Sequence, residues 1–222
     1  QLLHWQDLAR YMPLIKNTLY LATSATFFAV LLTLAWLYSV PSRSLHNQWL
    51  LGCVFVPFLI PQISFLLGIQ ISLSRFGLDG TWLTLVWVHM IFILPYSWLI
   101  LAPARQALDS RLDHVAATLG ASAWHRFRCL HLPLMAHPLG TAFFIGICVS
   151  VALYLPTVFV GAGRINTITV EAVSLAAGGS RGPAGVSAML QIAIPMLSFV
   201  LIRSYLRHRF GSFRDMRSGG LQ

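Results

Sequence analysis

The chain has 222 residues, of which 57% are hydrophobic and only 9% charged. Soluble domains carry about 25% charged residues, so this deficit excludes an ordinary soluble domain and puts the chain in the membrane class. Fifteen Lys and Arg against six Asp and Glu give a net charge of +9, but these cations lie between and after apolar runs, where they set orientation and meet lipid headgroups rather than nucleic acid.

Residues 1–16 hold no apolar h-region, so no cleavable signal peptide is read and the segment is expected to be an external tail. A hydrocarbon core of about 30 Å needs roughly 20 apolar residues in a helix. Five runs meet that length: 17–40, 49–71, 82–102, 138–160 and 184–203. Pro57 and Pro61 fall in the second, Pro95 in the third and Pro156 in the fourth. Prolines inside such spans mark kinks whose freed backbone groups need neighbouring helices, so a packed bundle is expected. The fold class read from the sequence is thus an all-α membrane protein. It has five transmembrane helices over 17–206 and a tail at 207–222.

Orientation follows from Lys and Arg in the flanks. The 41–48 loop, the 103–137 loop and the C-terminal tail hold ten arginines, whereas the opposite flanks hold Arg10, Lys16, Arg75, Arg164 and Arg181. The first set is expected in the cytoplasm, which puts the amino terminus outside and the carboxyl terminus inside. An outside amino terminus without a signal peptide leads to the expectation that a preceding membrane helix has been cut away.

The cytoplasmic segment 103–133 reads as two short helices around Gly120. Leu108, Leu112, Val115 and Leu119 recur at steps of four, three and four, which draws one apolar face. Arg105 and Asp109 are spaced to pair at i, i+4. Gly120 supplies turn angles without steric penalty, Ser122 is suited to cap the second helix, and Pro133 is expected to end it. The second helix sets Trp124, Phe127 and Leu130 on one side, with His125, Arg126 and Arg128 turned elsewhere. Two readings fit these residues: an interfacial pair lying on anionic headgroups, or a docking site whose apolar ladder enters a protein groove.

The external loop 161–183 contains Gly-rich turns around ITVEAVSLAA, which reads as a short helix at the membrane face. His89, near the middle of the third run, is an intramembrane ionisable residue and hence a transport-path candidate, weighed against a neutral histidine bonded to a neighbouring helix. Asn166, with Thr167, Arg164 and Glu171, is weighed as a contact for incoming cargo against an ordinary loop residue. Cys53, Cys129 and Cys148 are too scattered for a metal site or disulfide framework. No paired carboxylates or Ser-His-Asp arrangement point to enzyme chemistry, and the chain has no GxxxxGK[ST] loop and only one lysine, Lys16.

The segment His114-Val115-Ala116, three residues, Gly120, nine residues, Leu130-His131-Leu132-Pro133 resembles the cytoplasmic loop of type I ATP-binding-cassette importer permeases. In that family the pattern is Glu-Ala-Ala, three residues, Gly, nine residues, Ile-x-Leu-Pro. The spacing is intact, while His114 stands where the glutamate is common and Asp113 places an acid one position early. Asn17-Thr18-Leu19 and LPTVFVGAGRINTIT are similar to the iron- and thiamine-type permeases in which two halves are fused, and the match is to the second half.

The resemblance implies a permease, or half of one, in a bacterial inner membrane. The loop would dock on a separate ATP-binding-cassette ATPase dimer through Asp113, His114, Ala116, Gly120, Ala121, Trp124, Phe127, Leu130 and Pro133, with Arg126 and Arg128 reaching acidic groups on it. It also implies a second permease half, a periplasmic substrate-binding protein, and ATP bound only by the partner; no cofactor is expected on this chain. The competing expectations are an ion-coupled carrier or channel working without an ATPase, and a membrane anchor that moves nothing. A carrier would show acidic residues in its spans for ion coupling, and the five runs contain none.

Overall fold

The computed structural model describes residues 5–39 and 48–218, and among these residues every regular element is helical. The first apolar run extends upstream to form α1, Trp5–Ser39. The second run is two helices, α2 (Gln48–Leu59) and α3 (Gln62–Arg75). The third is α4, Trp82–Gln106. The loop between the third and fourth runs folds as α5 (Ser110–Thr118), α6 (Ala123–Arg126), a π turn over Phe127–His131 and α7 (Leu132–Leu134). Then come α8 (Ala136–Ala152), α9 (Tyr154–Gly161), α10 (Ile168–Ala177) and α11 (Arg181–Ser218).

The five expected runs therefore do not become five unbroken rods. Among the described residues, three helices are long and apolar enough to cross a bilayer by length and composition: Arg10–Ser39, Trp82–Gln106 and Gly182–Arg209. The segment Ala123–Leu134 with Ala136–Ala152 forms a fourth, bent by 71°. Proline explains some of the interruptions and not others. Pro61 caps α3 and Pro156 lies in the first turn of α9, positions where the missing N–H has no intrahelical partner to lose. Pro95 and Pro195 lie inside α4 and α11 without ending them.

The break between α8 and α9, at Leu153, is held from two sides. The Thr169 hydroxyl donates to the Val151 carbonyl, which the end of α8 leaves open, and the Thr157 hydroxyl donates to the Leu153 carbonyl at 2.9 Å. Irregular backbone at membrane depth survives only when the protein satisfies it in this way.

Helix α1 packs on α4 and α8, and α4 on α8, while α3 lies on α9. Their shared faces hold the core: Leu21, Leu66, Leu85, Ile93 and Val160 in one cluster, and Leu37, Trp98, Leu101 and Met135 in a second toward the other end of α1. Small residues allow close approach. Ala22, Ala25 and Ala29 of α1 have no exposed surface, and a Cβ on Gly146 of α8 would lie 2.5 Å from Thr26 Cγ2. Small residues where helices meet are the usual route to packing in lipid, which supplies no hydrophobic drive between helices. Helix α11 stands apart, attached to α8 and α10, and most of its apolar surface is uncovered.

The 161–183 segment folds as its sequence suggests, with α10 covering ITVEAVSLAA. The Thr167 side chain caps it by accepting from Val170 N at 3.4 Å. The helix lies against the bundle rather than apart from it: Ile168, Thr169 and Ala172 are buried, Thr18 Oγ1 accepts from Ile168 N at 3.0 Å, and Arg10 pairs with Glu171 at 2.6 Å.

Candidate functional site

The 103–133 segment is built by local rules. Asp109 caps α5 by accepting from Arg111 N at 2.9 Å. The i, i+4 pairing of Arg105 with Asp109 is not formed, because α4 ends at Gln106 and breaks the helical register between them. Arg105 instead lies over the Tyr38 ring at 4.7 Å. At the far end of α5, Gly120 has φ +81°. Its N–H bonds the Ala117 carbonyl and the Ala121 N–H bonds the Ala116 carbonyl, both at 3.0 Å. This crossed pair is the Schellman arrangement, which favours glycine at the left-handed position. Ser122 then caps α6, accepting from His125 N at 3.2 Å.

Pro133 does not end the segment. It occupies the first turn of α7, after the π turn, and the chain turns at Met135. A π turn already loosens the local hydrogen-bond ladder, so the proline ring enters where its missing donor costs little.

One side of the loop is tied to the bundle. Asp113 accepts from the His131 Nε2–H at 3.0 Å, and the other ring nitrogen of His131 meets the Tyr38 hydroxyl at 3.0 Å. Arg126 lies 3.6 Å from the second Asp113 oxygen and donates to the Asp113 carbonyl at 3.3 Å. The Tyr38 hydroxyl is 3.3 Å from Met135 Sδ, and its ring meets Phe127 edge to face. The carboxyl of Asp113 is held below its ordinary value, first by the His131 hydrogen bond and then by the Arg126 and Arg105 charges, against an opposing effect of burial.

The other side carries apolar residues that the described part of the chain leaves largely uncovered. Leu112 is 47% exposed, Val115 58%, Leu119 82% and Trp124 68%. Trp124 stacks on Phe127 with ring centroids 5.6 Å apart, so the tryptophan is held in place while its outer face is open. His114 and Arg128 are exposed, and Ala116, Ala121, Leu130 and Pro133 are half-buried.

The structure thus divides the residues singled out in the sequence. Asp113 and Arg126 join each other on the inner side, Trp124 and Phe127 form the aromatic pair, and His114 and Arg128 point free of both groups. Tyr38 and His131 complete the inner network and were not singled out. His131 sat unnoticed between Leu130 and Leu132 of the motif, and its partner lies 93 positions away.

The two transport-path candidates lie elsewhere. His89 is fully buried between α4, α8 and α9. Because the Thr157 hydroxyl already donates to Leu153, it accepts from His89 Nε2–H at 3.2 Å, and Nδ1 accepts from the Ser150 hydroxyl at 2.9 Å. Both ring nitrogens are thereby satisfied, as the reading of a histidine bonded to a neighbouring helix requires. Asn166 is exposed, and its backbone carbonyl accepts from Asn17 Nδ2 at 3.0 Å.

The chain is similar to known proteins in sequence and in fold. The chain is 40% identical over 185 residues to the inner membrane ABC transporter permease protein YnjC of Escherichia coli K12, a match covering 83% of this chain and 35% of that protein. It is 25% identical over 153 residues to a putative 2-aminoethylphosphonate transport system permease protein PhnV of Salmonella paratyphi A, covering 68% of this chain and 58% of the relative. The chain therefore spans about a third of the first relative and somewhat over half of the second. Its fold is similar to a chain in the crystal structure of a bacterial ABC transporter involved in the import of the acidic polysaccharide alginate. That match has a TM-score of 0.63 and 18% identity, and covers 93% of this chain and 80% of that one. A family model for binding-protein-dependent transport system inner membrane components matches residues 32–212, and the chain belongs to that family.

Proposed function

We propose that the chain forms the membrane-spanning permease, or half of it, of an ATP-binding-cassette importer, and that the 103–133 loop docks on a separate ATPase subunit. The observation that carries this reading is the uncovered apolar edge of Leu112, Val115, Leu119 and Trp124, on a loop whose opposite side is bonded to the bundle. Such an edge suits insertion into a groove, and the rigid Trp124–Phe127 stack lowers the ordering cost of binding. Ala116 and Ala121 keep the surface beside Gly120 low. The exposed His114 and Arg128 are the polar groups facing the partner, whereas Arg126 spends its charge on Asp113.

ATP is held by the partner, since this chain has no phosphate-binding loop. Closure of an ATPase dimer moves the loop, and the Asp113–His131–Tyr38 connection carries that displacement into α1. Nucleotide binding must favour one permease state over another by a differential energy for such a switch to work. A second permease half and a periplasmic substrate-binding protein complete the assembly in an inner membrane, the latter approaching the face that carries α10. The cargoes named for the two transport relatives, a phosphonate and a polysaccharide, differ in class, so neither transfers to this chain.

Gly120 provides the test. A Cβ there meets nothing within 4 Å in this chain, so a larger side chain projects only toward what lies outside. Gly120→Asn tolerates the left-handed backbone and is expected to retain ATPase copurification and transport, whereas Gly120→Trp is expected to lose both with the chain still inserted. Equal behaviour of the two variants would sink the docking site.

A further inference from the structure

Helices α8 and α11 do not close on each other along one stretch. A groove of about 1010 Å³ lies between them, walled by Phe144, Ile145, Phe199 and Ile202, with His137, Arg203 and Arg207 at one end. The floor is made by Gly140, where a Cβ would lie 2.4 Å from Leu206 Cδ1. The two helices touch there, at Leu206 and Ile202. Among the described residues, none that lines the groove is acidic.

Its polarity runs lengthwise. Arg203 and Arg207 occur at the end of the apolar helix Gly182–Arg209, one turn apart, so they stand at a membrane–water interface. The eight residue steps from Phe199 to Arg207 correspond to about 12 Å of helix rise, and over that length the wall changes from aromatic and aliphatic to cationic. Arg203 is already directed along this wall, its guanidinium 5.9 Å from the centre of the Phe199 ring. A basic pocket between membrane helices at the headgroup level suits an anionic phospholipid headgroup, and the apolar length below it suits acyl chains.

We propose that this groove is a binding site for a phospholipid with an anionic headgroup, which Arg203, Arg207 and His137 hold while its chains lie along Phe144, Ile145 and Phe199. A protein partner is the weaker occupant for a physical reason. The protruding apolar surface of α11 is a separate stripe, Met189, Ile192, Met196 and Val200, on which another helix would rest. The groove itself is recessed and ends in Arg203 and Arg207, with no acidic partner among the described residues.

The test uses the protein purified from membranes together with any subunits that accompany it. It is reconstituted with trace photoactivatable phosphatidylglycerol or phosphatidylcholine of the same chain length. Crosslinks of the phosphatidylglycerol probe are expected in peptides containing Phe144 and Phe199, with little from phosphatidylcholine. Interfacial cations act with a strength equivalent to about fivefold each, so Arg203→Gln with Arg207→Gln is expected to cut the preference roughly 30-fold.

Arg209→Gln, which removes a cation of the same helix that does not line the groove, is expected to leave the preference intact. Equal labelling by both probes would overturn the proposal. So would loss of preference in Arg209→Gln as large as in the double variant, since the effect would then be general surface charge. Competition by millimolar inorganic phosphate would assign the site to a soluble anion, and protein–protein crosslinks from Phe144→Cys would assign it to another chain; either result would also overturn it.

Discussion

At the scale of single residues, two positions decide how well the helices fit. Gly146 lets α8 approach α1 so closely that a Cβ would lie 2.5 and 2.8 Å from the two γ atoms of Thr26 and 3.1 Å from Ile93 Cγ2. Gly146→Ala is expected to destabilise by about 1–3 kcal/mol, the usual cost of overpacking, read as a lower Tm in detergent. The Thr26 hydroxyl is buried without a hydrogen-bond partner, so Thr26→Ala should cost little alone and should recover much of the Gly146→Ala loss. Asp113 gives a pH dependence of known sign. Its folded value lies below the ordinary 3.8, so its contribution to stability is present above that pH and lost as pH falls through the lowered value. The Tm gap between the native chain and Asp113→Asn is expected to be constant near neutrality and to close below pH 3.8. The side chain is 38% exposed, so solvent screens the effect and the gap is small.

At the scale of elements, the helix ends were legible and their partners were not. Gly120 and Ser122 announce a stop and a start because caps depend on residues within three or four positions, and the structure places both as expected. The Tyr38–His131 contact joins residues 93 apart, a pairing no local pattern encodes. Proline misleads for a related reason: Pro95 is tolerated in mid-helix because α4 is packed on α1 and α8, and packing is a tertiary property. The exposed edge of α5 yields a prediction at this scale. Val115→Ser and Leu119→Ser remove side chains that touch solvent, so each should change stability by less than about 0.5 kcal/mol. If the edge enters a groove in an ATPase, the pair should weaken that complex roughly tenfold or more. A titration of the purified ATPase against both forms checks it, and unchanged affinity would reject the edge as an interface.

At the scale of the whole molecule, hydropathy located the apolar runs but not their continuity. Runs 49–71 and 138–160 met the length of a span, and each is divided into two helices. Composition cannot report a break whose freed groups are satisfied by residues far along the chain, as Thr169 does for Val151. The arginine asymmetry carries a separate prediction about topology. In intact cells, and with the native cysteines replaced by serine, Asn166→Cys is expected to react with a membrane-impermeant thiol reagent and Leu119→Cys to react only after lysis. Both sites are exposed in the fold, so protection reports the membrane side. Labelling of Leu119→Cys in intact cells would invert the orientation.

The 71° angle at Met135 has a mechanical consequence when taken with the tight contact at Gly146. The ten residue steps from Ala136 to Gly146 make an arm of about 15 Å, with the loop fixed crosswise at one end and α1 pressed against the other. Sliding α8 along α1 is blocked where Thr26 meets Gly146. A force on the loop would therefore reach α1 directly, because Ala142 in the middle of the arm packs in one cluster with Val30 and Leu37 while Gly146 holds the register.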